Sequence, residues 1–189
     1  NSGSWAEKSI FSTPPVFVNG VRQSLDGNAL VADSASRDGN FISFLFSKDY
    51  DLSNNKNVHL GFYSHYAQNQ DSSGSLEYSI DQGESWLPVV YMIDSDDIVN
   101  DDLGNIDAVA TFEQEHEDIA IGYHPDTFEE IGGFYGAYIA SDISDDLAPY
   151  ISGRINDDQS GSKRYETYRL PEADGQKNVR FRFAKSGTY

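Results

Sequence analysis

"EYSIDQGESWLPV", Glu77–Val89, holds a strand, a turn and the start of a second strand in thirteen residues. Leu76, Tyr78 and Ile80 fall on one side of an alternating run, with Glu77 and Ser79 on the other. Successive side chains of a strand point to opposite faces, so this spacing is that of a half-buried β-strand. An Asp-Gln-Gly turn breaks the run, and Trp86 restarts it.

The same period continues on both sides. Candidate strands are 16–18, 29–33, 41–46, 58–66, 74–79, 86–91, 108–112, 136–140, 165–170 and 179–184, separated by Gly, Asn, Asp and Ser clusters. Helical spacing is scarce, with at most a short helix near 113–131. Ser47–Asn57 is polar and reads as a crossover between sheets, and Asp94–Asp107 as an acidic loop too long and charged for a hairpin. No fixed-period repeat appears, which argues against propellers and solenoids. The expected fold is an all-β, two-sheet antiparallel β-sandwich formed by residues 1–189 as one domain. The chain starts without Met and stops soon after its last strand, so it reads as a fragment of a longer multidomain extracellular protein.

Composition agrees with a β-protein. The core must draw on 12 Tyr and 11 Phe, with one Met and no Cys, which excludes disulfides and thiolate metal sites. Net charge is −18, and no Lys or Arg occurs between Lys56 and Arg154, an interval that holds 20 Asp and Glu. Such a field repels phosphate backbones and argues against nucleic acid as a partner. No apolar run reaches the roughly 20 residues of a membrane-spanning helix.

Three kinds of site can be read from the residues. If the strands are neighbours, Tyr63, His65, Glu77, Arg180 and Arg182 share an outward sheet face. An aromatic ring there stacks on a pyranose while charged groups fork to its hydroxyls. The plainer account is a solvated face with cross-strand Glu–Arg pairs. Hard cations need several oxygen ligands, and two stretches supply them: Asp26, Asn28 and Asp33, then Asp94, Asp96 and Asp97 with Asp101 and Asp102 beyond. These suggest structural Ca²⁺, although neither stretch has the EF-hand pattern, and acids that solvate loops are the simpler reading. His116 and His124 fit no zinc signature, and no nucleophile elbow or phosphate-cradling loop is present.

"SIDQGESW", Ser79–Trp86, resembles the Asp-box pattern S-x-D-x-G-x-x-W. That resemblance implies a hairpin stabilised by its own Asp, with Trp86 packed beneath. Sialidase propellers carry several copies at regular spacing, whereas this chain has one. More broadly, "GNALVADSASRDGN", "NVHLGFYSHYAQNQDSSGSLEYSIDQGESWLPV" and "SKRYETYRLPEADGQKNVRFRFAKSGT" look like a jelly-roll module of large secreted bacterial proteins, similar in plan to MAM and laminin-G-like domains. The cysteines of MAM domains are missing here, so their disulfide pattern does not carry over. The resemblance implies an adhesive or carbohydrate-binding accessory outside the cell or on its surface. Its ligand would be a glycan or surface polysaccharide, with no catalytic residues. The alternative is a structural module that contacts neighbouring proteins in a bacterial surface or fibrous assembly. A jelly-roll glycan hydrolase or lyase is a third reading.

Overall fold

The computed structural model describes residues 41–66, 68, 73–115, 144–153 and 164–187, with the strand pieces β1 (Trp5–Ser9), β2 (Phe17–Val18), β3 (Val21–Arg22) and β4 (Asn28–Ala32). The later elements are β5 (Phe41–Phe46), β6 (His59–Ser64), β7 (Ser73–Ser79), β8 (Leu87–Ile93), α1 (Ala108–Glu115), β9 (Ile151–Gly153), β10 (Arg164–Arg169) and β11 (Arg180–Gly187). Strands β5, β11, β7, β8 and β9 form one sheet in that order. Strands β6 and β10 pair separately as an antiparallel ribbon, and β1–β4 and β2–β3 are two further pairs. Strand dominates, as expected for an all-β sandwich. Among the described residues, no helix is long and apolar enough to cross a membrane.

The ribbon packs on one face of the large sheet. Leu60, Phe62 and Tyr168 from the ribbon meet Leu76, Tyr78, Val90, Met92 and Phe181 from the sheet, with Phe62 edge-on to Phe183 at 5.6 Å. Alternation along the sequence assigns Leu60 and Phe62 of β6, Leu76 and Tyr78 of β7, and Phe181 and Phe183 of β11 to the core, where the structure has them. The segment 47–57 carries the chain from β5 in the sheet to β6 in the ribbon, the crossover expected there.

Two expectations are corrected. The run 108–112 is the start of α1, not a strand. Asp107 sits before its first turn and accepts a hydrogen bond from the Ala110 N–H (2.8 Å), satisfying a donor that a helix start leaves open. The β8–β9 pairing is parallel, so the sheet is not wholly antiparallel. A parallel neighbour needs a long crossover, and residues 94–150, with α1 among them, supply it. The expected strand at 136–140 and the rest of the 113–131 helix lie outside the described residues.

The β7–β8 turn is held by its own polar groups. The Asp81 carboxylate accepts from the Ser85 N–H (2.9 Å), the Ser85 hydroxyl and the Ser79 hydroxyl (2.7 Å). The Ser79 Oγ in turn accepts from the Gly83 N–H at 2.7 Å. Gln82 and Gly83 adopt positive φ, 67° and 94°, a backbone that favours glycine at the second position. The same device recurs at Asp101, which accepts from the N–H groups of Leu103 and Asn105 and from the Asn105 amide.

The hydrogen bonds from Ser85 and Ser79 hold the Asp81 carboxyl well below the usual carboxylate range. Its folded-state value is therefore lower than its unfolded value of about 3.9. The stabilisation is complete above that unfolded value and is lost as pH falls through the folded one. Thermal melts across the acid range should show Asp81→Asn losing stability at neutral pH and declining less steeply than the parent below about pH 4. Equal slopes would contradict this role.

Candidate functional site

Strand β7 lies between β11 and β8, and every residue of it is buried. Register places Arg182 opposite Glu77 and Arg180 opposite Ser79, so the two strands are neighbours as the sequence suggested. Their second face, however, is covered. Tyr91 and Ile93 from β8 continue it into a second apolar cluster with Ala108 and Phe112 of α1, Leu147 and Ile151. Phe112 meets the Tyr91 ring edge-on at 5.5 Å.

Glu77 is 0% exposed and Arg182 7%, which corrects their expected outward placement. The Arg182 Nε donates to Glu77 at 2.5 Å, a second guanidinium nitrogen contacts the same carboxylate, and the Tyr91 hydroxyl donates to it at 3.2 Å. The guanidinium also lies 4.3 Å from the Trp86 ring centroid and 5.1 Å from that of Phe44. Burying a charge is tolerable only when it is paired and hydrogen-bonded, and this pair meets that condition. Arg180 is half-buried and engages both oxygens of Asp49, at 2.7 and 2.9 Å. These groups hold the sheet together and do not form an open binding face.

Tyr63 and His65 belong to the other layer. Tyr63 projects from the outer face of the β6–β10 ribbon, and His65, just past the end of β6, is half-buried. The five proposed ligand contacts are therefore split between two layers, and the structure brings Glu77 and Arg182 into contact.

The outer face of the ribbon carries what the sequence reading missed. Tyr165 pairs directly with Tyr63 across the strands, and the rings stand 5.0 Å apart, inclined at 57°. They are 61% and 64% exposed. Gly61, one step along β6 on the same face, makes room for the second ring: a Cβ at that position would overlap the Tyr165 hydroxyl and lie 3.0 Å from its Cζ. His59, Thr167 and Arg169 complete the face, all exposed. Tyr165 was legible as an alternate position of a candidate strand, but its partner strand was not.

The metal-ligand expectations fare unevenly. Asp94 accepts from the Asp96 N–H (3.1 Å) and begins a single 3-10 turn, Ser95–Asp97. Asp97 accepts from the Gln68 amide at 2.6 Å, and burial together with Asp94 and Asp96 raises its carboxyl above the usual range. Asp94 and Asp97 are thus committed to local bonds. Among the described residues, no three or more His, Asp or Glu side chains gather to hold a metal ion. Asn28 opens β4, and Asp26 and Asp33 lie outside the described residues, as do His116 and His124.

No protein-family model, curated protein or solved structure matches this chain.

Removing one partner of a buried ion pair strands the other charge, at a cost of about 3–5 kcal/mol. Glu77→Ala and Arg182→Ala should each lower the urea midpoint by a comparable large amount. Glu77→Leu combined with Arg182→Met should recover much of the loss. Two small, additive single-variant effects would contradict a buried pair.

Proposed function

We propose that this chain is a non-catalytic binding module of a secreted or surface protein, built on a jelly-roll plan, that takes glycan on the outer face of the β6–β10 ribbon. The exposed cross-strand pair Tyr63–Tyr165 carries this reading. Large aromatic rings usually go to the core, where each is worth several kcal/mol of burial. Two of them side by side on a solvated face leave apolar surface open to a partner. The apolar face of a pyranose stacks on such rings, while hydroxyls at its rim reach Thr167, His59 and the phenol groups. Gly61 supports the reading because it lets the Tyr165 ring lie down on the ribbon.

Each of Tyr63→Ala and Tyr165→Ala should weaken retention on a polysaccharide affinity gel about tenfold, equivalent to about 1.4 kcal/mol. Gly61→Ala should weaken it through displacement of the Tyr165 ring, with little change in melting temperature. Tyr50→Ala, an exposed tyrosine outside the ribbon, serves as the control and should bind like the parent. If the ribbon variants and the control are retained equally, this face is not the site.

A structural Ca²⁺ belongs to the proposal, with oxygen donors from Asp26, Asn28 and Asp33 or from Asp94, Asp96 and Asp97. A ligand that binds only the folded state raises its stability. Chelation should therefore lower the melting temperature by several degrees, and added Ca²⁺ should restore it. A melting curve indifferent to chelator would remove the metal from the proposal.

A further inference from the structure

Resting on that reading, we infer that the ribbon selects neutral glycans and rejects those carrying uronic, sulfate or phosphate groups. The polar groups around the Tyr63–Tyr165 wedge decide the matter. An acidic sugar is normally recognised by an uncommitted Arg or Lys that can fork to its anion. The ribbon contributes two arginines, and both are already engaged. Arg169 donates to the Val58 carbonyl at 3.2 Å and is salt-bridged to Asp174, and Arg164 at the opposite end also has a partner.

His59 is set up for a hydroxyl. Its Nδ1 lies 2.8 Å from the Asn57 carbonyl oxygen. A carbonyl can only accept, so Nδ1 carries the proton, and in the neutral imidazole Nε2 is left as an acceptor. In that neutral form Nε2 accepts from a sugar hydroxyl and offers a carboxylate no donor. Thr167 and the two phenols add neutral donor–acceptor groups to the same face.

The wider field acts in the same direction. Thirty-one acidic against 13 basic residues give the chain a net charge of −18, which opposes the approach of a polyanion. This repulsion is long-ranged at low salt and fades within a Debye length of about 8 Å at physiological ionic strength. The short-range terms, the His59 Nε2 acceptor and the engagement of both arginines among the described residues of the ribbon, persist in salt.

Calorimetric titration of the intact chain with paired ligands of one backbone tests the inference. A neutral β-glucan oligosaccharide is compared with its 6-carboxylated form, and methyl-esterified oligogalacturonate with the free acid, each at low and physiological salt. Xylan, mannan and chitin oligosaccharides extend the neutral panel. The expected result is binding of at least one neutral member that Tyr63→Ala weakens about tenfold. Its acidic counterpart should bind at least tenfold more weakly, with the gap narrowing but persisting in salt. Acidic forms that bind as well or better, in a Tyr63-dependent way, would overturn the selectivity while leaving the glycan reading intact. Binding that ignores Tyr63→Ala, or no binding by any member, would overturn both.

Discussion

A carboxylate on the central strand of the large sheet faces a guanidinium on the neighbouring strand, and the architecture is organised around keeping them dry. Glu77 and Arg182 face each other across β7 and β11, with the Tyr91 hydroxyl on the carboxylate and the Trp86 and Phe44 rings against the guanidinium. Charges of this kind are tolerated in a protein interior only when water is replaced by fixed partners. The sheet therefore needs a second cover, which α1 provides with Phe112, together with Leu147 and Ile151. The parallel strand β9 follows from the same need, because the chain must cross over the sheet through α1 before it pairs with β8.

Once both faces of the large sheet are occupied, the outer face of the ribbon is left to solvent. The inner residues of β6 and β10 are spent on the core, so whatever this layer presents must come from His59, Gly61, Tyr63, Tyr165, Thr167 and Arg169. Two tyrosines there are costly to leave wet, and neither is needed to fill the sandwich. Leu60, Phe62 and Tyr168 anchor this strand pair from beneath, so the backbone that carries both rings is held by the core. Preorganisation of that kind reduces the ordering cost of binding.

Much of this was legible in the sequence, for identifiable reasons. A period of two assigns faces, and it placed Leu60, Phe62, Leu76, Tyr78 and Phe181 in the core. The same period cannot say whether the opposite face is wet, and so Glu77 and Arg182 were misplaced. Ser73, Ser75 and Ser79, the small residues around Glu77, are compatible with either a solvated or a closely covered face. The misread helix has a similar origin: "AVATF" alternates and carries β-branched residues, and only the Asp107 cap and the following "EQE" favour helix. The Asp81 turn was readable because its hydrogen bonds run within seven residues. The tyrosine pair was not, because it depends on pairing two strands about a hundred residues apart in the chain.

The central claim is that ligand meets this chain on the ribbon and not on the sheet face that holds Glu77 and Arg182. Amide chemical-shift mapping by NMR during titration with a soluble neutral oligosaccharide tests it most directly. Saturable shifts concentrated in residues 59–64 and 164–169 are expected, with the amides of β7 and β11 unmoved. Shifts centred on β7 and β11 with a silent ribbon would contradict it.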